Sequence, residues 1–394
     1  MPNTTSHMDD MLARLPSFVD GIRSIKESVI ANIVLIGQTP APTFHESTRT
    51  EIFLERLVDA QADQCATDDF NNAIGIIRGQ AGTPKASILL VSHLDTPFAP
   101  EIDHNYVVRK NTITGPGILD NSVGVGVLAS LPFIIRHLDL SFESDIVLAG
   151  VIQSIGRGNL KGIRHLLNNW NGPIRGGVIM ESEKLGRLNY YAEGIIRGEI
   201  HCNISTADQW AYKYKPNAIL ILNEVINEIL AMELPRRPRS RVILGKISGG
   251  FKHGLIAYDA TLGFEIQSDS DSMVQRIFSQ MQDIVGGISH EHSVELKLDV
   301  ITTLNAVTLK YRHPLVKHAV AVMEHLGILP VSESSESELS IFLSKNIPAI
   351  ALGITTGKNA HLENASMKID QMFTGIAQIL GVLIAIDRGV CDAV

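Results

Sequence analysis

The residues of this chain with the strongest claim to chemistry are His93 and Asp95, in Ser92-His93-Leu94-Asp95-Thr96. Residues two apart on an extended chain point to the same side. A histidine so placed can bind a metal through one ring nitrogen while the neighbouring acid holds the other. Three further stretches carry groups of the same kind. In Thr114-Gly115-Pro116-Gly117-Ile118-Leu119-Asp120-Asn121 a glycine turn delivers Asp120 just ahead of a small-residue helix. Gly177-Val178-Ile179-Met180-Glu181 is an apolar run that ends in a carboxylate, and Asn359-Ala360-His361-Leu362-Glu363 carries a second histidine in a loop.

The elements that must position these groups are written in the apolar pattern. Ala86 to Val91 is a nearly unbroken apolar run, expected to be a buried strand with His93 at its tip. Ala73 to Arg78 and Asp145 to Ile152 read as strands, and 122–137 and 159–168 as helices. Ahead of them, Leu15, Phe18, Ile22, Ile25, Val29, Ile33 and Ile36 have helical spacing. Thr43 followed by Glu46 predicts a capped helix over Phe44 to Ala62. His45 there suits a capping or solvent-facing place better than a metal. Alternation of this kind implies an α/β fold, a mainly parallel sheet with helices on both faces. Functional residues are then expected at the C-terminal ends of strands, where His93, the pair Gln153-Ser154 and Glu181 all fall.

From 197 to 306 the pattern changes to βαββαβ, an α+β ferredoxin-like sandwich inserted into the first domain. The expected domains are thus 1–196 joined with 307–394, and 197–306. Gly249-Gly250 lacks the strand and helix context of a phosphate loop and reads as a hairpin turn. Leu315 to Leu326 is expected to be a helix, Ile347 to Gly353 a strand, and Ile369 to Ile386 a long apolar-faced helix packed on the sheet.

Taken together, His-x-Asp-Thr at 93–96, Gly-x-Gly-x-x-Asp-Asn at 115–121, the strand-end Glu181 and Ala-His-x-x-Asn at 360–364 resemble the M20 family of dinuclear zinc peptidases and deacylases. That family includes aminoacylases, carboxypeptidases and tripeptidases. The match runs in order from about residue 20 to the end. The resemblance implies a zinc-peptidase-type sheet. It implies one metal on His93, Asp120 and Glu181, and a second on Asp120, a glutamate and His361. Asp95 takes the place of the acid that orients the first histidine. Imidazoles with hard carboxylates suit zinc, with manganese or cobalt as substitutes. A small peptide or N-acyl amino acid is the implied ligand, and the insert resembles the lid that commonly carries a homodimer interface.

The resemblance also predicts two consecutive glutamates after the strand at 146–152, where this chain has Gln153-Ser154-Ile155-Gly156. The first glutamate is the family's general base. Gln153 has its shape but cannot accept a proton at neutral pH. Such a base is worth about 10²–10⁴-fold, roughly 3–5 kcal/mol of barrier. The second glutamate is a metal ligand, and Ser154 is short and neutral. Other recognition groups depart as well. Thr206-Ala207-Asp208-Gln209-Trp210 has no histidine, Glu265-Ile266-Gln267 has no arginine, and Ser337-Glu338-Leu339 stands for the usual Thr/Ser-Asp-Ala. The expected function is an M20-type metallopeptidase or amidohydrolase with impaired or altered chemistry, in which Glu183 or Glu338 could be recruited as base. The alternative is a non-catalytic binding or scaffolding protein that keeps the fold and at most one metal. A dimer whose cleft does nothing would have no reason to hold His93, Asp95, Asp120, Glu181 and His361 together.

Composition bounds the rest. A chain of 394 residues is expected to form two domains, and 45% hydrophobic with 19% charged residues is ordinary for a globular protein. A net charge of −8 argues against nucleic acid or anionic membrane as partner. No apolar run in the sequence approaches membrane-spanning length. Met1-Pro2-Asn3-Thr4-Thr5-Ser6 lacks the basic and apolar regions of a signal peptide, and three scattered cysteines suit a reducing cytoplasm.

Overall fold

The structure, a computed structural model, describes residues 4–81, 86–204 and 216–392, with side chains from Met11 onward. Two compact units emerge: Met1–Tyr191 with Thr308–Val394, and Ala192–Val307.

The first unit is built on seven strands. In spatial order they are Gln64–Thr67, Ala73–Ile77, Asp145–Val151, Ser87–His93, Ile174–Glu181, Ala349–Gly353 and Leu188–Asn189. The four strands from Asp145–Val151 to Ala349–Gly353 run parallel, while the outer strands pair antiparallel. Every residue of Ser87–His93 and Asp145–Val151 is buried, as expected of parallel strands covered on both faces. The helices Lys26–Gly37, Val123–His137 and Ile369–Asp387 join these strands in one core. By length and composition alone two helical stretches, Ile118–His137 and Ile369–Asp387, would reach across a membrane, which corrects the sequence reading. They are 89% and 78% buried inside the protein, which makes them core helices.

The Phe44 to Ala62 helix also needs correction. It runs from Ser47 to Asp59, and no threonine caps it. Thr43 donates instead to Asp95 Oδ2 at 2.8 Å, and Glu46 Oε1 accepts from the Phe44 and Gln153 amides. The would-be capping residues are drawn into the site. A small sheet of the strands Val107–Val108, Thr112–Thr114, Gly357–Lys358 and Ser366–Lys368 had no signal in the sequence.

The second unit has four antiparallel strands in the order Ser240–Gly249, Asp259–Ser268, Gly194–Asn203, Glu295–Leu304. Its helices, Ala218–Ala231 and Asp271–His292, share a core with the sheet that includes Ile200, Leu222, Leu262 and Met281. The sequence segment Thr206 to Trp210, where no histidine was found, lies outside the described residues. Gln267 is buried and its amide is bonded to Arg241 and Glu265.

Candidate metal centre

Strand register brings the chemical groups to one edge of the sheet. His93 is aligned with Val151, and Glu181 with Gly353, so both lie at the C-terminal ends of parallel strands. The Leu94 amide continues this register by donating to Val151 O at 2.7 Å. The turn after Val151 therefore runs beside the His93 strand.

His93 is buried, with 8% of its surface exposed. Its Nε2 is 3.4 Å from Asp120 Oδ1, and its Nδ1 lies 3.0 Å from the Asp95 carbonyl oxygen and 3.5 Å from Asp95 Oδ1. Burial opposes the charged imidazole, but the hydrogen bond to Asp95 and the charges of Asp120 and Glu338 outweigh it and raise the His93 pKa well above its ordinary value.

Asp95 is fully buried, and the groups around it lock it in place. Its Oδ2 accepts from Thr43 Oγ1, from the Ser154 amide at 3.0 Å and from the Ile155 amide at 2.8 Å. Burial alone would raise the Asp95 pKa; His93 and these donors turn the net shift downward. A carboxylate that orients the imidazole is thereby also the anchor of the turn at 153–155. Gln153 takes a left-handed backbone at φ +53°, a conformation L residues adopt rarely.

Asp120 is delivered by a turn in which Gly117 has φ +69°. The residue stands on extended backbone ahead of the helix Val123–His137, and the Asp120–Asn121 peptide is cis. Asn121 fixes it from behind. Its Nδ2 donates to Ser92 Oγ and Met180 O, both at 2.9 Å, and its Oδ1 accepts from the Ser182 amide and hydroxyl. Burial, with Glu181 nearby, raises the Asp120 pKa against the lowering charges of His93 and His361.

Glu181 ends its strand 3.7 Å from Arg187 Nη1. His361 is exposed in its loop, and its charge acts on Asp120 without a hydrogen bond to the other candidates. Of the two acids considered as substitute bases, Glu183 makes no hydrogen bond or ion pair with these residues among those described. Glu338 is 1% exposed and accepts from Ser154 Oγ at 2.5 Å. Beside Gln153 lies an open groove of about 650 Å³, lined by Phe44, His45, Glu46, Phe70 and Asn71 among others. Sequence reasoning did not single out Asn121, Arg187 or Glu46 as site residues; only Asn121, next to the expected aspartate, carried a signal.

The donors suit a divalent cation. Asp120 stands 3.4 Å from the His93 imidazole and the charge of Glu181 acts on Asp120, while the group of three ligand atoms found within 4.8 Å of one another among the described residues is elsewhere. Grouped carboxylates raise one another's pKa unless a positive charge joins them. Imidazole with carboxylates is a zinc-type donor set, with manganese or cobalt as alternatives. A separate trio in the second unit, Glu224, Glu291 and His292, is a partly exposed surface cluster.

No family model and no curated protein matches the chain by sequence. Solved structures do match it. The dipeptidase Dug1p from Saccharomyces cerevisiae superposes with a TM-score of 0.77 at 13% identity, covering 95% of this chain and 98% of that one. An M20 family metallo-carboxypeptidase from Sulfolobus solfataricus gives 0.71 at 11%, covering 91% and 99%. YXEP of Bacillus subtilis, described as a dinuclear metal-binding peptidase of the M20 family, gives 0.60 at 14%, covering 91% and 99%. The chain has the fold of the M20 metallopeptidases over nearly its whole length.

Proposed function

We propose that this protein is an M20-type metal-binding protein that takes a small peptide or N-acyl amino acid and hydrolyses it poorly or not at all. Its metal is one divalent ion, zinc in the first instance, on His93, Asp120 and Glu181. A bound ion of this kind polarises a carbonyl and lowers the pKa of water. Asp95 orients His93 for it, and Asn121 holds Asp120 against the strands of Ser92 and Met180. The fold supports a peptidase-type ancestry. Impairment rests on one observation: the backbone amides of Ser154 and Ile155 are bonded to the carboxylate that orients His93. The turn beside the imidazole is thus the one that carries Gln153 and Ser154, and neither side chain can take a proton there at neutral pH. We further propose that the protein acts in the cytoplasm as a homodimer through its lid, residues 197–306, without nucleic-acid or membrane partners.

The reading is tested on protein purified without chelator. Elemental analysis is expected to give one tightly held divalent ion per chain, and a panel of di- and tripeptides and N-acyl amino acids to give turnover near background. Gln153→Glu is expected to raise any residual turnover, by up to about 10²–10⁴-fold. A wild type that binds no metal, or that turns over these substrates at the roughly 1–10³ s⁻¹ of ordinary enzymes, sinks it.

The alternative, a purely non-catalytic binding or scaffolding protein, is favoured by the loss of both acids at 153–154. It differs in one outcome: Gln153→Glu gives no turnover while ligand binding persists.

A further inference from the structure

We infer that the inserted unit carries a metal site of its own, a clip of Glu224, Glu291 and His292 that takes a divalent transition-metal ion, zinc in the first instance. All three residues belong to the second unit, whereas His93, Asp120 and Glu181 belong to the first. Glu224 lies on the helix Ala218–Ala231, and Glu291 and His292 are the last two residues of the helix Asp271–His292. One carboxylate oxygen from each glutamate and one nitrogen of the imidazole lie within 4.8 Å of one another. His292 Nε2 is 2.8 Å from Glu224 Oε2. Donors at zinc-bond length on a tetrahedron stand about 3.3–3.6 Å apart, so small side-chain rotations close the set. Adjacent positions on a helix do not normally face each other. Glu291 and His292 nevertheless converge on one partner, at the point where their helix stops and Ser293 takes a left-handed backbone with φ +53°.

The charges favour a cation at this spot. No lysine or arginine pairs with Glu224 or Glu291 among the described residues, and His292 is the one printed ion-pair partner of Glu224. With the imidazole neutral, the trio carries two negative charges, which a divalent ion cancels. The C-terminal end of the helix Asp271–His292 adds partial negative charge beside them. Imidazole nitrogen with carboxylate oxygens is a zinc donor set, and three protein donors leave the fourth position to water. The ion would tie the two helices of the insert together. Val225 and Ile288, close in sequence to the donors, share the core of this unit, so the clip braces a packing contact already made. It also fixes the end of the helix from which the chain turns into the strand Glu295–Leu304. All three donors are open to solvent in part, so this site fills from added zinc and does not retain it through purification.

The rival explanation is a surface ion pair between protonated His292 and Glu224, with no metal. Diethyl pyrocarbonate acylates free imidazole nitrogens, and mass spectrometry of the digested full-length protein reads each histidine separately. The His93 centre therefore does not enter the measurement. His253, exposed in the loop between the strands Ser240–Gly249 and Asp259–Ser268, is the internal control. Zinc added to chelator-stripped protein is expected to protect His292 and to leave His253 as reactive as before. Glu224→Gln and Glu291→Gln keep the shape and remove the charge. Each is expected to melt like wild type without zinc, since a surface ion pair is worth little. Each is expected to raise the zinc concentration for half-protection at least about tenfold. Labelling of His292 that zinc leaves unchanged overturns the inference and leaves the His93 reading standing. Half-protection unmoved by either glutamine variant overturns it as well. Should a glutamine variant lack a cooperative melt, aspartate at the same position decides. One methylene shorter, it weakens protection if the glutamate is a donor, and an unchanged half-point overturns the assignment.

Discussion

Arg49 is fully buried, and its guanidinium is bonded entirely to carbonyl oxygens, those of Gly37, Thr39 and Leu94. Burial lowers its pKa, while the charges of Tyr106, Asp95 and Asp120 pull it back. One side chain thus ties the end of the helix Lys26–Gly37 to the residue after His93. Arg49→Met is expected to cost about 3–5 kcal/mol, because several carbonyls lose their donors at once. Arg49→Lys recovers little of it, since an ammonium cannot reproduce the planar fork. Urea unfolding measures both. Tyr106 gives a pH signature. Its buried phenol donates to Pro116 O and accepts from Ser122 Oγ, and burial pushes its pKa up to about 12. The unfolded phenol ionises near pH 10, so the unfolded chain sheds a proton that the native one keeps. Stability therefore falls as pH rises from about 10 to 12, by about 2–3 kcal/mol from this group. Tyr106→Phe is expected to be less stable at pH 8 and to show a shallower alkaline decline; an identical decline refutes the assignment. Neither residue was legible beforehand, since an arginine or tyrosine in sequence carries no mark of where its partners will be.

At the scale of elements, the site depends on how closely the helix Val123–His137 approaches the strands. A side chain at Gly124 would meet Asn121 Oδ1 at 2.6 Å, Ser92 Oγ at 2.7 Å and Met180 O at 2.8 Å. These atoms belong to the network that holds Asp120. Gly124→Ala is expected to cost about 1–3 kcal/mol by overpacking and to weaken zinc as well. Gly126→Ala, which would press on Ile33 instead, carries the stability loss with a smaller effect on metal. Thermal melts and zinc titration of the two variants separate the effects. This scale was the most legible in sequence. Unbroken apolar runs announced the His93 and Glu181 strands, and the glycine turn announced Asp120. What failed to show were elements without period. Strands of two or three residues, such as Val107–Val108 and Thr112–Thr114, are too short to repeat. Thr43 and Glu46 had the spacing of a helix cap, yet bonds to Asp95 and Gln153 took them instead. The contact between Ser154 and Glu338 joins positions with no sequence relation, and only the fold displays it.

For the whole molecule, the inserted unit has its own core, and its first and last strands pair, with Ile195 opposite Leu304. The insert therefore leaves and rejoins the chain at neighbouring points. One free edge of its sheet is Ser240–Gly249, where Ile243 and Ile247 are 41% and 60% exposed. An apolar edge strand is a template for pairing with another copy. Light scattering of the wild type is expected to give the mass of two chains, and Ile247→Lys that of one. A monomeric wild type, or a dimer indifferent to this change, removes the edge from consideration.

The split of the first unit has a consequence for synthesis. Ile174–Glu181 pairs with Ala349–Gly353, a strand on the far side of the insert in sequence. On a translating ribosome, its open edge waits for that partner through roughly ten to thirty seconds of elongation at about 5–20 residues per second. The inserted unit is complete in the nascent chain well before then and can fold while the wait continues. A chain released early keeps Glu181 at an unpaired strand end, so quality control would meet an aggregation-prone sheet.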